Sequence, residues 1–83
     1  MLNILYFASL REAVGCGNER MALPVPPNVG GLIVALRARG GAWRDALNAD
    51  KRWRIAVNQE MAESETPLNP GDEVAIFPPV TGG

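Results

Sequence analysis

One segment alone in this chain carries the pattern of a long amphipathic helix, and it sits in the middle, which leaves the flanks to supply a sheet for it to pack on. Val29, Leu32, Ile33 and Leu36 recur at i, i+3, i+4 and i+7 and so share one stripe of a helix packed on a single side. Asn28 ahead of them is a good N-cap, because its side-chain oxygen can accept from an orphan amide of the first turn. Gly40 and Gly41 stop the helix, with Arg37 and Arg39 placed at the negative end of its dipole. Gly30 and Gly31 weaken its first turn.

The flanks read as strands. Leu2 to Ala8 is rich in β-formers and free of Gly and Pro, so it predicts a first strand, after which Ser9 caps a short helical turn through Ala13. Gly15 and Gly17 break the chain, and Arg20 to Val25 alternates as a second strand, stopped by Pro24, Pro26 and Pro27. Beyond the helix, Trp43 and Leu47 indicate a second short helical segment, and Arg54 to Asn58 a third strand. The cluster Thr66-Pro-Leu-Asn-Pro-Gly-Asp72 is a turn in which Pro70-Gly71 supplies the fixed and the positive φ of type II, and Glu73 to Phe77 is the last strand. The order β-β-α-β-β with one main helix implies an α+β domain, a mixed sheet covered on one face. That is the β-grasp, or ubiquitin-like, architecture, assigned to residues 1–77, with residues 78–83 as an extended tail.

At 83 residues the chain supports one modest core, and 47% hydrophobic with 20% charged residues is ordinary for a soluble globular domain. A net charge of -1 gives no bulk attraction to nucleic acid, and the longest apolar run, Gly30 to Leu36, is far short of a bilayer span. Neither nucleic acid nor membrane is an expected partner. With no basic stretch ahead of an apolar segment at the N-terminus, a cytoplasmic location is the expectation. Cys16 is the single cysteine and histidine is absent, so a Cys nucleophile lacks its usual partner and the commonest general base and metal ligand are missing. Self-contained catalysis and a metal site are not expected. Cys16 reads as an incidental loop residue, Trp43 and Trp53 as packing residues.

Chemistry concentrates in the tail. Pro78 and Pro79 have no amide hydrogen to continue a sheet ladder, so the sheet ends there, and from Val80 on the chain can extend about 3.3 Å per residue, reaching about 13 Å beyond the body. That is long enough to enter another protein's active site. Thr81 leads to Gly82 and Gly83, which lack Cβ atoms, so the backbone can pass a narrow channel with the terminal carboxylate unhindered. A carboxylate resists nucleophiles until its oxygen becomes a good leaving group; adenylation by ATP would do this, and a sulfur nucleophile could then displace AMP to leave a thiocarboxylate. Gly30-Gly31 and Gly40-Gly41 lack the spacing and the Lys-Ser/Thr pair of a P-loop, so the activating enzyme must be a separate protein.

Three segments, Leu5-Tyr-Phe-Ala-Ser-Leu-Arg-Glu-Ala-Val-Gly15, Ala56-Val-Asn-Gln59 and Gly71-Asp-Glu-Val-Ala-Ile-Phe-Pro-Pro-Val-Thr-Gly-Gly83, resemble the hallmarks of the small subunit of molybdopterin synthase. The thiamine sulfur carrier shares the Gly-Gly end but not the Phe-Pro-Pro-Val-Thr stem. The resemblance implies that an adenylating enzyme of the ubiquitin-activating type activates Gly83, through a transient glycyl adenylate, and that Gly83 then becomes a thiocarboxylate (1-thioglycine). The tail next enters a large catalytic subunit, in a heterotetramer, and supplies sulfur for the dithiolene of molybdopterin. No permanently bound cofactor is implied; ATP is used by the activating enzyme. The loop Cys16 to Asn18 matches no hallmark, and Gly30-Gly31 stands where an acidic residue is frequent. The alternatives are a carrier for thiamine or another thio-metabolite, a ubiquitin-like protein modifier joined through Gly83 to lysines, or a plain interaction module.

Strand alternation also indicates where partners grip. Leu2, Ile4 and Tyr6 share one face of the first strand, and Asn3, Leu5 and Phe7 the other; in the last strand Val74 and Ile76 oppose Glu73, Ala75 and Phe77. Polar Asn3 and Glu73 mark the face away from the helix, so Leu5, Phe7 and Phe77 are expected exposed on the open side. With the first and last strands adjacent, Phe7 and Phe77 form an apolar patch at the root of the tail, extended by Met61, and this is either a partner anchor or covered by the chain itself. Arg11 resembles a family position near the tail's base and either pairs with a partner acid or is a solvated helix charge.

Overall fold

The computed structural model describes residues 1–48 and 53–78. Pro78 is therefore the last tail residue described; Pro79, Val80, Thr81, Gly82 and Gly83 lie outside the described residues.

The elements run β1 (Leu2–Tyr6), α1 (Ala8–Val14), β2 (Asn18–Met21), α2 (Val29–Arg37), α3 (Gly41–Ala46), β3 (Arg54–Val57), β4 (Glu60–Met61) and β5 (Glu73–Phe77). They form a mixed 5-stranded sheet of order β2-β1-β5-β3-β4. β1 and β5 pair in parallel at its centre, and the other neighbours are antiparallel. This is the expected β-grasp arrangement, with the two ends of the described chain side by side.

Period-two alternation turns Leu2, Ile4 and Tyr6 of β1, Val74 and Ile76 of β5, and Ile55 and Val57 of β3 to one side. The stripe Val29, Leu32, Ile33 and Leu36 of α2 meets them, and Leu10, Leu47 and Leu68 complete the core. Asn28 caps α2 as expected, its side-chain oxygen accepting from the Gly31 N–H at 2.7 Å. Gly31 does more than weaken that turn: a Cβ built there would lie 2.1 Å from the Pro26 carbonyl oxygen, so the helix approaches the preceding loop as closely as only glycine permits. The Pro70-Gly71 turn also forms, with Gly71 at φ 89 and the Asp72 N–H donating to the Asn69 carbonyl at 3.1 Å.

Several expected boundaries are corrected. β1 ends at Tyr6 rather than Ala8, and α1 begins at Ala8, with Phe7 at its N-cap and no side-chain cap from Ser9. The reason is that the Phe7 carbonyl already accepts from the Leu10 and Arg11 N–H groups, which opens the helix before Ser9. β2 occupies Asn18–Met21, earlier than the expected 20–25, because its partner residue opposite Met21 is Leu2 and β1 offers no strand beyond it. The third strand stops at Val57, where Asn58 (φ 51) and Gln59 (φ 70) turn the chain back into β4, a strand the sequence reading omitted. α2 ends at Arg37, and Gly41 opens α3 rather than closing α2. Arg39 does not serve the dipole of α2; it reaches β2, where it donates to Glu19 at 2.7 Å, and lies 4.5 Å over the Trp43 ring.

Candidate functional site

The face of the sheet away from α2 is ordered in cross-strand rows. At the edge nearest the tail stand Phe7, Phe77 and Arg54, the last two being register partners. The middle row is Leu5, Ala75, Ala56 and Met61, each the Cα partner of the next. The far row is Arg20, Asn3 and Glu73. The face thus grades from polar to apolar to aromatic towards the point where the tail leaves.

The aromatic row is built by the central strand pair. The Phe7 N–H donates to the Ile76 carbonyl at 3.3 Å, which holds Phe7 beside β5, and the Phe7 and Phe77 rings stack with centroids 4.8 Å apart and planes 11° from parallel. Such a pair contributes about 0.5–1.5 kcal/mol beyond its burial. Ala8 follows at φ 52, a left-handed conformation that costs a residue with a Cβ about 1–2 kcal/mol, and it turns the chain from β1 into α1 immediately after Phe7. Phe7 remains 39% exposed despite its stack. Phe77 and Leu5, both expected exposed, are half-buried, since each is flanked by a neighbour in its row.

In the middle row the alanines are nearly covered, at 7% and 8% exposure for Ala56 and Ala75, and form a low floor between Leu5 and Met61. Met61 is 64% exposed on β4 at the far end of this row, and it borders a cavity with Ile33, Arg54 and Ala62. Arg11 lies elsewhere: it is exposed on α1 and packs across Gly17, where an added Cβ would sit 2.9 Å from its Nε. Beside the tail root, Pro78 lines a cavity of about 370 Å³ with Leu10, Ala13, Asp45 and Trp53.

The covered side carries a polar clasp. Tyr6 donates through its hydroxyl to Glu19, Arg39 donates to the same carboxylate, and the Tyr6 ring meets Trp43 edge-on at 5.2 Å. Burial first, and then the Glu19 hydrogen bond, raise the Tyr6 phenol well above its ordinary range. Burial pushes the Glu19 carboxyl upward, but the hydrogen bonds from Arg39 and Tyr6 outweigh it and hold the group below its usual range. Trp43 is thus a packing residue, as expected. Burial raises the Cys16 thiol, with Glu19 adding to it, which disfavours the thiolate. Among the described residues no group of His, Cys, Asp and Glu could hold a metal ion, and no helix is long and apolar enough to cross a membrane.

The sequence reading placed Ala75 on this face but missed two of its residues, Arg54 and Ala56. Alternation in Arg54-Ile55-Ala56-Val57 carries the signal, since burial of Ile55 and Val57 puts Arg54 and Ala56 opposite.

Fold and face together define a ubiquitin-like domain with an apolar, aromatic patch at the base of its last segment. A family model described as the ThiS family matches residues 4–83. The molybdopterin synthase sulfur carrier subunit of Escherichia coli (strain K12) is 42% identical over 83 residues, covering 100% of both chains. Among solved structures, the putative molybdopterin converting factor, subunit 1, from Pyrococcus furiosus matches with a TM-score of 0.76 at 30% identity, over 95% of this chain and 97% of that one. The protein-protein complex of subunit 1 and 2 of molybdopterin-converting factor from Helicobacter pylori 26695 shares the fold, with a TM-score of 0.67 at 24% identity over 99% and 97% of the chains. The chain belongs to the ThiS family, among the sulfur carrier subunits of molybdopterin synthase.

Proposed function

We propose that this sulfur carrier works as a thiocarboxylate on Gly83 and donates that sulfur to the dithiolene of molybdopterin. A separate adenylyltransferase of the ubiquitin-activating type transfers AMP from ATP to the Gly83 carboxylate and releases pyrophosphate. A sulfur nucleophile at the hydrosulfide level then attacks the acyl carbon, and AMP leaves. In the large catalytic subunit the thiocarboxylate sulfur displaces an oxygen substituent of the pterin precursor, so that a C–S bond forms as a C–O bond breaks. Water then cleaves the acyl–sulfur bond, returning the carboxylate and leaving the sulfur on the pterin, and a second loaded carrier supplies the second sulfur in the same way. The bases for these steps belong to the partners, and the cycle runs in the cytoplasm.

The observation that carries the reading is the stacked Phe7–Phe77 pair at the end of β5, where Pro78 leaves the sheet. A partner that anchors on this pair receives the following segment, and the tail can span about 13 Å from Val80 at about 3.3 Å per residue. The match to the Escherichia coli subunit supports the role of Gly83, since it covers 100% of both chains. In this reading Leu5, Phe7, Phe77 and Met61 contact the partners, Arg11 sits at the flank, and Pro78, Pro79, Val80, Thr81 and Gly82 thread the channel.

Intact mass of protein recovered from cells tests it. The expected species carries one sulfur in place of one oxygen at Gly83, and adding one residue after Gly83 is expected to leave a folded protein that transfers no sulfur. Conjugates of higher mass would point to a protein modifier instead, and an extended variant that still sustains dithiolene synthesis would refute the terminal mechanism.

A further inference from the structure

Arg54 puts a charge where an apolar docking face has no evident use for one. It is the Cα partner of Phe77, and cross-strand geometry sets such Cβ atoms about 5 Å apart. Ile55 and Val57 enter the core, so alternation puts Arg54 on the face of Phe77, where it is exposed; it also borders a cavity at the edge of β3 with Ile33, Arg37 and Glu63. Among the described residues the one ion pair is Arg39 with Glu19, and Arg54 has neither an ion pair nor a side-chain hydrogen bond. Glu73, an acid of the same face, precedes Phe77 at the opposite end of β5, about 13 Å away at a rise of about 3.3 Å per residue.

A surface that covers Phe7 and Phe77 also removes Arg54 from water. An unpaired guanidinium in that position loses its hydration without compensation, so a tight complex needs an acceptor opposite it. The planar fork of Arg matches the two oxygens of a carboxylate better than any single neutral acceptor. Net charge does not supply the attraction, because the whole chain carries only -1 and is itself weakly acidic.

We infer that Arg54 is a specificity-determining residue of the docking face, met by a carboxylate of the large catalytic subunit beside the socket for Phe7 and Phe77. This rests on the docking role proposed for that face and adds a requirement to it. Subunits that offer an apolar socket without the acid are rejected, and binding by the correct one weakens as salt rises.

The test is calorimetric titration of the full-length chain with the large subunit of its own organism, at low and raised salt. Wild type is compared with Arg54→Leu, Arg54→Glu and Phe77→Ala, each checked for an unchanged circular dichroism spectrum. Arg54→Glu is expected to weaken binding on the order of 100-fold, and Arg54→Leu about tenfold with a flatter salt dependence, as for one member of a desolvated charge pair. Changing the facing carboxylate of the large subunit to Lys is expected to restore binding of Arg54→Glu. Binding lost in Phe77→Ala but unchanged in Arg54→Glu would overturn the role of Arg54 and leave the docking face standing. Wild-type binding by Phe77→Ala would overturn both.

Discussion

Replacing Gly31 with Ala should cost stability even though Ala is the better helix former. The added Cβ would lie 2.1 Å from the Pro26 carbonyl oxygen, 3.1 Å from the Pro26 carbonyl carbon and 3.3 Å from Asn28 Oδ1. The first two are backbone atoms, and that segment is pinned: the Pro26 carbonyl accepts from the Asn28 N–H at 2.9 Å, and the Pro27 carbonyl accepts from the Leu68 N–H at 2.8 Å. No side chain can swing away, so the loop and α2 must separate. Overpacking of this kind costs about 1–3 kcal/mol. Separation also strains the cap from Asn28 to the Gly31 N–H, at 2.7 Å and worth about 1 kcal/mol. Against these stands a propensity gain of about 1 kcal/mol for Ala over Gly. The balance is a loss of about 2 kcal/mol, or about 8–16 °C in melting temperature for a domain of this size. Gly30→Ala is the internal control, since its nearest contact is the Ser64 carbonyl oxygen at 3.3 Å and a few tenths of an ångström of adjustment relieves it. Urea unfolding followed by circular dichroism measures both. A Gly31→Ala midpoint at or above wild type, or an equal loss in Gly30→Ala, would show that close approach is not what fixes glycine there.

The clasp on the covered side predicts pH dependence of a definite sign. Glu19 is held below the ordinary carboxylate value, so its contribution is full above the unfolded value of about 4.3 and is lost as pH falls through the folded one. Asp72, lowered by the Asn69 N–H and then by Asn58, adds to the same acid limb. Glu19→Gln is expected to lower the urea midpoint at pH 7 and to flatten its acid slope; an unchanged slope would remove Glu19 from the account. Cys16→Ser is expected to sustain dithiolene synthesis at the wild-type rate in a reconstituted synthase, because the native thiol is half-buried and its burial disfavours the thiolate. A large loss of activity in that variant would give the cysteine a chemical role.

How far the sequence specified this molecule depends on how local each cause is. The alternation of Leu2, Ile4 and Tyr6 and the stripe from Val29 to Leu36 are burial patterns, and burial made the outcome readable. The adjacency of Phe7 and Phe77 was legible because it needs only strand parity and the pairing of β1 with β5. Boundaries failed where a partner strand or a backbone carbonyl decides them. β2 ends where β1 has no further residue to pair, and α1 opens on the Phe7 carbonyl rather than on the Ser9 hydroxyl. β4 has only two residues, and its hairpin depends on left-handed Asn58 and Gln59, of which only the asparagine is a usual signal. Arg39 was assigned to a dipole because its true acceptor, Glu19, is 20 positions away in the chain.

The same distinction explains why the face proposed for docking can be both apolar and dependable. Phe7 and Phe77 emerge from the two central strands, whose opposite faces carry Ile4, Tyr6, Val74 and Ile76 at 0–2% exposure, so the patch rests on the best-packed layer of the domain. An edge strand could not serve, because one side of its ladder is open to slippage. Pro78 follows at once and has no N–H to extend the ladder, which fixes where the sheet stops relative to the aromatic pair. A partner that seats the two rings would therefore fix the origin of the segment proposed to react to within the rigidity of the central strands. On the proposed docking role, selectivity comes from what surrounds the rings, and Arg54, one strand over, is the charged group the register places there.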